Sequence, residues 1–283
     1  MKRVLKYSLV AVLIFWFTYS TIGIIKMPAM DMKDSIQKSD VILYRKFLLY
    51  PNHNDIVIYK SDYFAEEDST ESSRYLFIQR VIGLPGDTIQ IDSGKVYINH
   101  QLERTNELYQ KNYIVQLIDS IEKFPHINSL INEKNIISKK FEYAMSLSEK
   151  KYFQLKNDTC VTGIYYETES PIFFENDIYP YNEKIKWNKH FWGPLYLPKK
   201  NDILKLNAQY IYIYFPIIQE EEKLSEIRND SLFIEGKFVS EYKFKNDYYF
   251  VMGDNRDNAI DSRYIGPIKG KDIIGIAFYK FGN

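Results

Sequence analysis

A long apolar run opens the chain, and short apolar segments separated by polar residues follow it. Residues 4–25, VLKYSLVAVLIFWFTYSTIGII, carry one charge at Lys6 and none afterwards. The uncharged part would span roughly 28 Å as a helix, close to the hydrocarbon thickness of a bilayer. The run is longer than the apolar region of a usual signal peptide, and no Ala-x-Ala cleavage site follows it. We therefore predict an uncleaved transmembrane anchor over residues 1–26.

Basic residues determine the predicted orientation of this anchor. Lys2, Arg3 and Lys6 all precede the uncharged stretch. The positive-inside rule keeps such an end in the cytoplasm. The sequence thus predicts a single-pass membrane protein whose body lies on the extracytoplasmic side.

The segments after the anchor are typical of short β-strands joined by turns. Tyr, Ile and Val dominate them, and turn residues such as Pro85-Gly86 separate them. The predicted strands begin at Asp40 (DVILYRKF), Asp55 (DIVIYK), Tyr75 (YLFIQRVIGL), Asp87 (DTIQI) and Lys95 (KVYIN). This pattern predicts a mainly β fold with a β-barrel or β-sandwich core.

The middle of the chain is less regular. We interpret residues 101–241 as a β-rich insertion that continues the core sheet, the core itself being residues 27–100 and 242–283. Within the insertion, residues 112–120 (NYIVQLIDS) are predicted to form a strand. Residues 193–206 (GPLYLPKKNDILKL) resemble an edge segment, because prolines would interrupt a hydrogen-bond ladder.

Two further segments have a local interpretation. Residues 146–158, SLSEKKYFQLKND, predict one short helix, with Ser146 or Ser148 as its N-cap. Residues 65–73, AEEDSTESS, are polar, acidic and aperiodic, which is typical of a solvated loop.

The charge balance and the rare residues argue against several classes of site. The chain has 37 basic and 37 acidic residues, so no net field would steer it onto nucleic acid. The single cysteine, Cys160, permits no internal disulfide, and we interpret it as a packing residue. The histidines, which are His53, His100, His126 and His190, show no metal-ligand spacing. We therefore expect no metal and no cofactor.

Two stretches differ from the rest in the order and spacing of their turn and charged residues. QRVIGLPGD, residues 79–87, ends a strand in Pro85-Gly86, a pair that suits a type II turn because glycine adopts positive φ. MGDNRDNAIDSRYIGPI, residues 252–268, places five charged residues within ten positions. They are Asp254, Arg256, Asp257, Asp261 and Arg263.

On spacing alone, the charge-rich stretch allows two interpretations, a solvated turn or a buried ion-pair network. A calcium-binding loop does not fit the ligand positions that such a loop requires. Counted from Asp254, the third position holds Arg256, the sixth holds Ala259 and the twelfth holds Ile265.

With these motifs, the chain resembles the bacterial type I signal peptidases, membrane-anchored serine proteases that use a Ser/Lys dyad. GLPGD and GDNRDNAIDSR match two of that family's boxes nearly letter for letter, and SIQKSDVILYRK resembles the end of the box that carries the serine. KWNKHFWGPLYLPKK, residues 186–200, resembles a Gly-Pro segment of some longer members. The resemblance implies removal of signal peptides from exported preproteins at the inner (cytoplasmic) membrane, with the body on the periplasmic side.

The mechanism that this resemblance implies depends on residues that the chain lacks. A serine hydroxyl attacks the scissile carbonyl, and a buried neutral lysine takes its proton. The family pattern places the serine at Asp31, in DMKDS, and the lysine at Gln79. Ala259 replaces a small hydroxyl residue that supports the lysine, and Ala29 stands where some members place an oxyanion serine.

These substitutions remove the chemistry and leave the frame. An amide cannot accept a proton near neutral pH, and Asp31 brings negative charge where an oxyanion would develop. The resemblance assigns supporting places in the cleft to Ala29, Met32, Ser35, Arg80, Asp254, Arg256, Asp257, Ala259, Asp261 and Arg263, and scaffold places to Gly83, Pro85, Gly86 and Asp87. We therefore predict a pseudoenzyme that binds signal peptides of exported preproteins or a catalytic paralogue at the membrane.

An active signal endopeptidase with displaced residues is the alternative. Ser35 and Lys38 have the S-x-x-K spacing of other serine hydrolases, and Lys33 is near. That motif acts when a helical turn brings Ser and Lys together, whereas this segment precedes a predicted strand. As the carboxylate of an acid protease, Asp31 would need a second carboxylate as its partner, and the family pattern assigns it none.

Overall fold

Antiparallel β-strands dominate the described part of the chain. The computed structural model describes residues 20–26, 30–33, 35–37, 39–64, 75–104, 106–129, 134–136 and 141–282. All strand pairs among these residues are antiparallel. The prediction of a mainly β fold is therefore confirmed.

The strands and helices have the following bounds in chain order. The strands are β1 (Ile22–Ile25), β2 (Val41–Arg45), β3 (Ile56–Ser61), β4 (Tyr75–Gly83), β5 (Thr88–Asp92), β6 (Lys95–Ile98), β7 (Gln101–Leu102), β8 (Gln110–Leu117), β9 (Lys134–Ile136), β10 (Glu142–Ser148), β11 (Val161–Tyr166), β12 (Trp192–Tyr196), β13 (Ile203–Lys205), β14 (Ser225–Arg228), β15 (Ser231–Ile234), β16 (Lys237–Val239), β17 (Glu241–Lys243), β18 (Tyr248–Met252), β19 (Ile268–Lys269) and β20 (Ile273–Phe281). The helices are α1 (Pro125–Ser129), α2 (Glu149–Lys156), α3 (Ala208–Glu221) and α4 (Ser262–Ile265), with 3-10 turns at Met30–Met32, Ile121–Lys123 and Gly270–Asp272.

One seven-stranded sheet carries both sequence motifs. Its order is β1-β2-β20-β3-β4-β18-β19, so strands from the two ends of the chain are neighbours. Seven consecutive residues of β4, from Phe77 to Gly83, are buried, and all of β18 is buried. Burial on both faces explains why neither strand alternates apolar and polar residues, with Gln79 and Arg80 as the polar residues of β4. It also places Gln79 in the interior.

Smaller sheets surround this one. Their orders are β11-β8-β10-β9, β12-β5-β6-β7, β14-β15-β16 and the pair β13-β17. The largest buried apolar cluster includes Trp192 of β12 and Phe250 of β18, whose ring centroids are 4.9 Å apart. A second cluster lies under β8, β10 and α2 and includes Leu155 and Cys160. The division of the chain into a core and an insertion stays a prediction.

Most of the local predictions from the sequence are confirmed. The predicted strands correspond to β2, β3, β4, β5, β6 and β8, and the predicted edge segment begins as β12, an edge strand of its sheet. The predicted short helix is α2, and its N-cap is Ser148, whose backbone is extended and whose side chain accepts from Lys151 N. The sequence pattern does not predict helix α3. The predicted loop at residues 65–73 lies outside the described residues.

The predicted anchor ends differently from the sequence-based expectation. Residues 1–19 lie outside the described residues, while Ile22–Ile25 form strand β1, paired antiparallel with β2. The expectation of one helix through Ile25 is therefore wrong at its end. Gly23 permits the pairing, because a Cβ there would lie 2.1 Å from the Tyr44 ring. In the described ranges no helix is long and apolar enough to cross a membrane, and the anchor stays a prediction.

Candidate active site

The two positions where the family pattern places the dyad lie in direct contact. Asp31 sits in the 3-10 turn Met30–Met32, and Gln79 sits in the buried part of β4. Gln79 Nε2 donates a hydrogen bond to Asp31 Oδ2 at 3.0 Å. Met32 fixes the turn, because its side chain is fully buried in an apolar cluster with Ile36 and Ile78. The fold thus brings together two side chains that the sequence separates by 48 positions.

The Gln79 amide has a hydrogen-bond partner at both of its ends. Nε2 also donates to the Ile260 carbonyl at 2.6 Å, and Oε1 accepts from the Tyr59 hydroxyl at 2.8 Å. The side chain is fully buried. An amide nitrogen has two hydrogens, and both are used here. The group is therefore fixed in one orientation and offers no basic atom.

Asp31 ionises less readily than an ordinary aspartate. Burial, the largest cause, raises the pKa of Asp31 to about 6, and the charge of Asp261 acts in the same direction. The hydrogen bond from Gln79 opposes this rise because it stabilises the carboxylate. The site therefore presents a carboxyl group that exchanges its proton in a mildly acidic range.

The loop that follows β18 closes around Asp31. Asn255 N donates to the Asp31 carbonyl at 2.8 Å. A Cβ on Gly253 would lie 2.5 Å from that same carbonyl and 2.4 Å from the Ala259 Cβ. Gly253 is thus required for the close approach, and the buried Ala259 methyl forms the wall behind it.

A second set of contacts joins the segment after Asp31 to the same loop. Arg80 holds Asp254 with two hydrogen bonds, Nε to Oδ1 at 2.8 Å and Nη2 to Oδ2 at 2.6 Å. The Ser35 hydroxyl donates to Asp254 Oδ2 as well. Arg80 Nη1 also donates to the Asn54 carbonyl at 2.9 Å. Asp254 is fully buried, so these contacts replace its hydration.

Asp261 and Arg263 form a further buried pair beneath the site. Arg263 donates from Nε to Asp261 Oδ1 and from Nη2 to Asp261 Oδ2, both at 2.8 Å. Asp261 also accepts from Gly253 N at 3.2 Å and caps α4. Arg263 Nη2 donates to the Arg256 carbonyl. This pair fixes the start and the end of the charge-rich loop to each other.

The remaining two charged residues of the loop attach it to the neighbouring sheet. Arg256 forms two hydrogen bonds to the Glu103 carboxylate, at 2.7 and 2.8 Å, and lies over the Tyr109 ring at 3.7 Å. The Asp257 carboxylate accepts hydrogen bonds from Asn112 N at 2.6 Å and Tyr166 Oη at 3.0 Å. It also lies 3.1 Å from His190 Nε2. All five charged residues are buried, so the interpretation as a solvated turn is wrong and the buried network is confirmed.

The GLPGD turn has the geometry that its residues predict. Gly86 has φ of +96°, and Asp87 N donates to the Leu84 carbonyl at 2.9 Å. The Asp87 side chain accepts from Leu84 N at 2.8 Å and from Asn99 Nδ2 at 2.8 Å. Positive φ at the third residue of the turn is the type II conformation. The turn supports the end of β4.

The structure gathers most of the predicted site residues and adds others. Ala29 and Lys38 lie outside the described residues. Ser35 is in a turn rather than a helix. The residues that sequence reasoning missed are Tyr59, Glu103, Tyr109, Tyr166 and His190. Each meets its partner across a long sequence separation, and no spacing in the sequence indicates those meetings.

Comparisons with known proteins identify the family of the chain. The family model described as signal peptidase, peptidase S26, matches residues 1–159 and 199–281. This chain belongs to that family. The matched residues include Asp31, Gln79 and the charge-rich loop.

Several signal peptidases are similar to the chain. Signal peptidase I P of Bacillus subtilis subsp. natto is 30% identical over 136 residues, which cover 39% of this chain and 70% of that protein. Signal peptidase I of Buchnera aphidicola from Schizaphis graminum is 24% identical over 280 residues, covering 89% of this chain and 65% of that protein. Signal peptidase I of Helicobacter pylori strain 26695 is 25% identical over 152 residues, covering 47% of this chain and 50% of that protein.

One solved structure is also similar. The crystal structure of a signal peptidase I from Enterococcus faecalis is 14% identical to this chain and covers 80% of it, with 96% of that structure matched. The TM-score is 0.28.

Proposed function

We propose that this chain is a signal-peptidase-like membrane protein that binds the signal-peptide segments of exported preproteins without cleaving them. The observation that carries the proposal is the hydrogen bond from Gln79 Nε2 to Asp31 Oδ2 at the family's base and nucleophile positions. A catalytic paralogue is the alternative partner, because the scaffold residues of the family are retained while both dyad residues are substituted.

The chemistry of these two groups supports a loss of the family's reaction. Acyl transfer to serine needs a hydroxyl nucleophile and a group that removes its proton. Gln79 has no basic atom, and Asp31 places a carboxylate where negative charge would develop. Changing both members of a dyad typically lowers turnover by several orders of magnitude.

Ser35 supplies a hydroxyl in the same segment, but that hydroxyl already has a hydrogen-bond partner. The Ser35 hydroxyl donates a hydrogen bond to Asp254 Oδ2. Arg80 donates hydrogen bonds to both oxygens of that carboxylate. A hydroxyl used in this way supports the wall of the site. This geometry favours a structural role for Ser35 over the displaced-nucleophile alternative.

The location that we propose rests on the predicted anchor. Lys2, Arg3 and Lys6 precede the apolar run, so we place the body on the extracytoplasmic side of the inner membrane. A site on that side would meet signal peptides as they emerge from the bilayer.

Restoring the dyad tests the loss of chemistry. We expect the full chain in detergent to leave a preprotein with an Ala-x-Ala site uncut, and the double variant Asp31→Ser, Gln79→Lys to cleave it at that site. The gain follows because a lysine at the buried position would have a lowered pKa and could take the serine's proton. Mass spectrometry of the products measures the cleavage position.

Matched controls isolate the dyad. Asp31→Ser with Gln79→Met supplies the hydroxyl without a base, and Asp31→Ala with Gln79→Lys supplies the base without a hydroxyl, so neither should cleave. Cleavage by the unmodified chain that disappears on Ser35→Ala or Lys38→Ala would establish the displaced-residue enzyme and overturn the proposal.

Binding needs a separate measurement. We expect a fluorescent signal peptide to bind the unmodified chain with the same affinity, within about threefold, as it binds the uncleaving Asp31→Ser, Gln79→Met variant. Fluorescence anisotropy in detergent measures both, with a peptide whose Ala-x-Ala residues are replaced by arginine as the specificity control. Equal binding of the control peptide would refute recognition of signal peptides.

A further inference from the structure

Three metal-ligand side chains of different kinds meet in the β8–β11 region, away from Asp31. His126 Nε2 lies 2.9 Å from Asp158 Oδ2, and Cys160 Sγ lies 2.7 Å from Asp158 Oδ1. Cys160 Sγ and His126 Nε2 are 3.7 Å apart. The three donor atoms therefore lie within 4.8 Å of one another. Sequence spacing alone did not reveal this cluster, because 32 positions separate His126 from Asp158.

Local structure fixes all three side chains. His126 is on the short helix α1, and its ring packs edge-on against Phe124 with centroids 6.4 Å apart. Asp158 and Cys160 lie in the turn between α2 and β11, where Cys160 N donates to Asp158 Oδ1 at 3.1 Å. The Cys160 carbonyl accepts from Ile118 N at 2.9 Å, which attaches the turn to the end of β8.

We propose that His126, Asp158 and Cys160 bind one divalent transition-metal cation of the zinc class, with its fourth coordination position open to the surface. This inference is independent of the proposed function. It departs from the sequence-based expectation of no metal, in which Cys160 was only a packing residue.

The donor distances fit this class of cation. Zinc bonds of about 2.3 Å to sulfur and about 2.0–2.1 Å to nitrogen, in tetrahedral geometry, separate those two donors by roughly 3.5 Å. The observed separation between Sγ and Nε2 is 3.7 Å. The two contacts to Asp158 are shorter, at hydrogen-bond distance, and a cation would replace those hydrogen bonds. To complete the ligand set, the carboxylate would move away from the imidazole by about half an ångström and away from the sulfur by nearly one ångström.

The kinds of donor discriminate among cations. A thiolate with an imidazole favours zinc, cobalt or copper over magnesium and calcium, which prefer oxygen ligands. Within the described ranges, these residues form the only cluster of three such side chains. A surface cavity of about 680 Å³, which they line together with Asn157 and Thr159, provides room for water or another small ligand at the open position.

A nucleophilic role for Cys160 fits the geometry less well. Its sulfur is closest to a carboxylate oxygen, at 2.7 Å, and not to the imidazole that would have to act as base. A bound cation would supply the positive charge that a thiolate needs at this position.

Cobalt titration tests the proposal directly. The full chain in detergent, without a polyhistidine tag and with the thiol kept reduced, is titrated with Co²⁺ and followed by absorption. We expect a thiolate-to-cobalt charge-transfer band in the near ultraviolet that saturates at one equivalent and disappears when Zn²⁺ is added. The absence of any such band up to millimolar Co²⁺ would overturn the site.

Variants assign the ligands. Cys160→Ser should abolish the charge-transfer band, and His126→Ala should weaken Co²⁺ binding at least about tenfold. His53→Ala is the matched control, because His53 also pairs with an aspartate, Asp87, at 2.8 Å but has no described thiol beside it. It should leave the titration unchanged. A band that persists in Cys160→Ser would refute the assignment.

Correct folding of the variants is checked without metal. The far-ultraviolet circular dichroism and the urea midpoint of each variant are measured in a chelator. If Cys160→Ser fails to fold, Asp158→Asn serves in its place, with an expected loss of affinity of at least about tenfold. Unchanged Co²⁺ affinity in both His126→Ala and Asp158→Asn would also overturn the proposal.

Discussion

The carboxyl group of Asp31 lies where burial and a neighbouring carboxylate both oppose its ionisation. Its pKa is raised to about 6 from an ordinary value of 3.8. The native state therefore binds this proton more tightly than the unfolded chain does. The resulting stabilisation is complete below about pH 4 and is lost as the pH rises through 6. At neutral pH, ionised Asp31 therefore does not contribute this stabilisation to the free energy of unfolding.

Asp31→Asn should remove this pH dependence. An asparagine oxygen can still accept the hydrogen bond from Gln79, but it carries no charge. At each pH, the unfolding free energy of the unmodified chain is subtracted from that of the variant. We expect this difference to be about 2–3 kcal/mol larger at pH 7.5 than at pH 4. Urea unfolding at both pH values measures it. The exposed Asp62→Asn is the control, and a difference that is equal at both pH values for Asp31→Asn would contradict the argument.

Arg80 is the residue on which the buried Asp254 most depends. Its guanidinium supplies two of the hydrogen bonds to a carboxylate that has no contact with solvent. Arg80→Met should lower the free energy of unfolding by about 3–5 kcal/mol, because an unpaired charge would stay buried. Lys184→Met, in the exposed ion pair with Asp230, is the control and should change stability little. Equal losses in the two variants, measured by chemical unfolding, would refute the distinction.

At the scale of elements, the strands could be predicted where their own residues determine their environment. β2, β3, β5, β6 and β8 combine β-branched or aromatic residues with flanking turn residues, and these signals are local. Helix α3 could not be predicted in this way. Its sequence, AQYIYIYFPIIQEE, alternates tyrosine and isoleucine like a strand and contains Pro216. Burial of Ile211, Tyr214 and Ile218 in the main core outweighs that local preference.

The N-cap of α2 provides a test at this scale. The Ser148 side chain accepts from Lys151 N at a long 3.5 Å, so Ser148→Ala should cost about 0.5–1 kcal/mol, at the lower end for such caps. Ser146→Ala, at the other position that the sequence allowed, should cost less. Paired urea denaturation curves compare them. A larger loss for Ser146 would show that the cap had been assigned to the wrong serine.

At the scale of the whole molecule, the family resemblance predicted which positions form the site but not how they are held. Asp31, Gln79 and the five charged residues near position 260 were found from motifs. Their partners were not, since Glu103, Tyr109, Tyr166 and His190 belong to strands and loops whose place is decided by tertiary packing. The same limit applied to His126 and Cys160. Sequence spacing detects sites built on one element, and both of these sites are built from several.

The contacts around Asp31 also determine when this site can form during synthesis. Hydrogen-bond partners at positions 254–260 are needed by Ser35, Gln79 and the Asp31 carbonyl. Ser35 and Asp254 are 219 positions apart. A chain made from its N-terminus would carry the Asp31 segment outside the ribosome long before those partners emerge. The segment is therefore completed late, and a ribosome-stalled chain that ends before residue 253 should leave it open to protease.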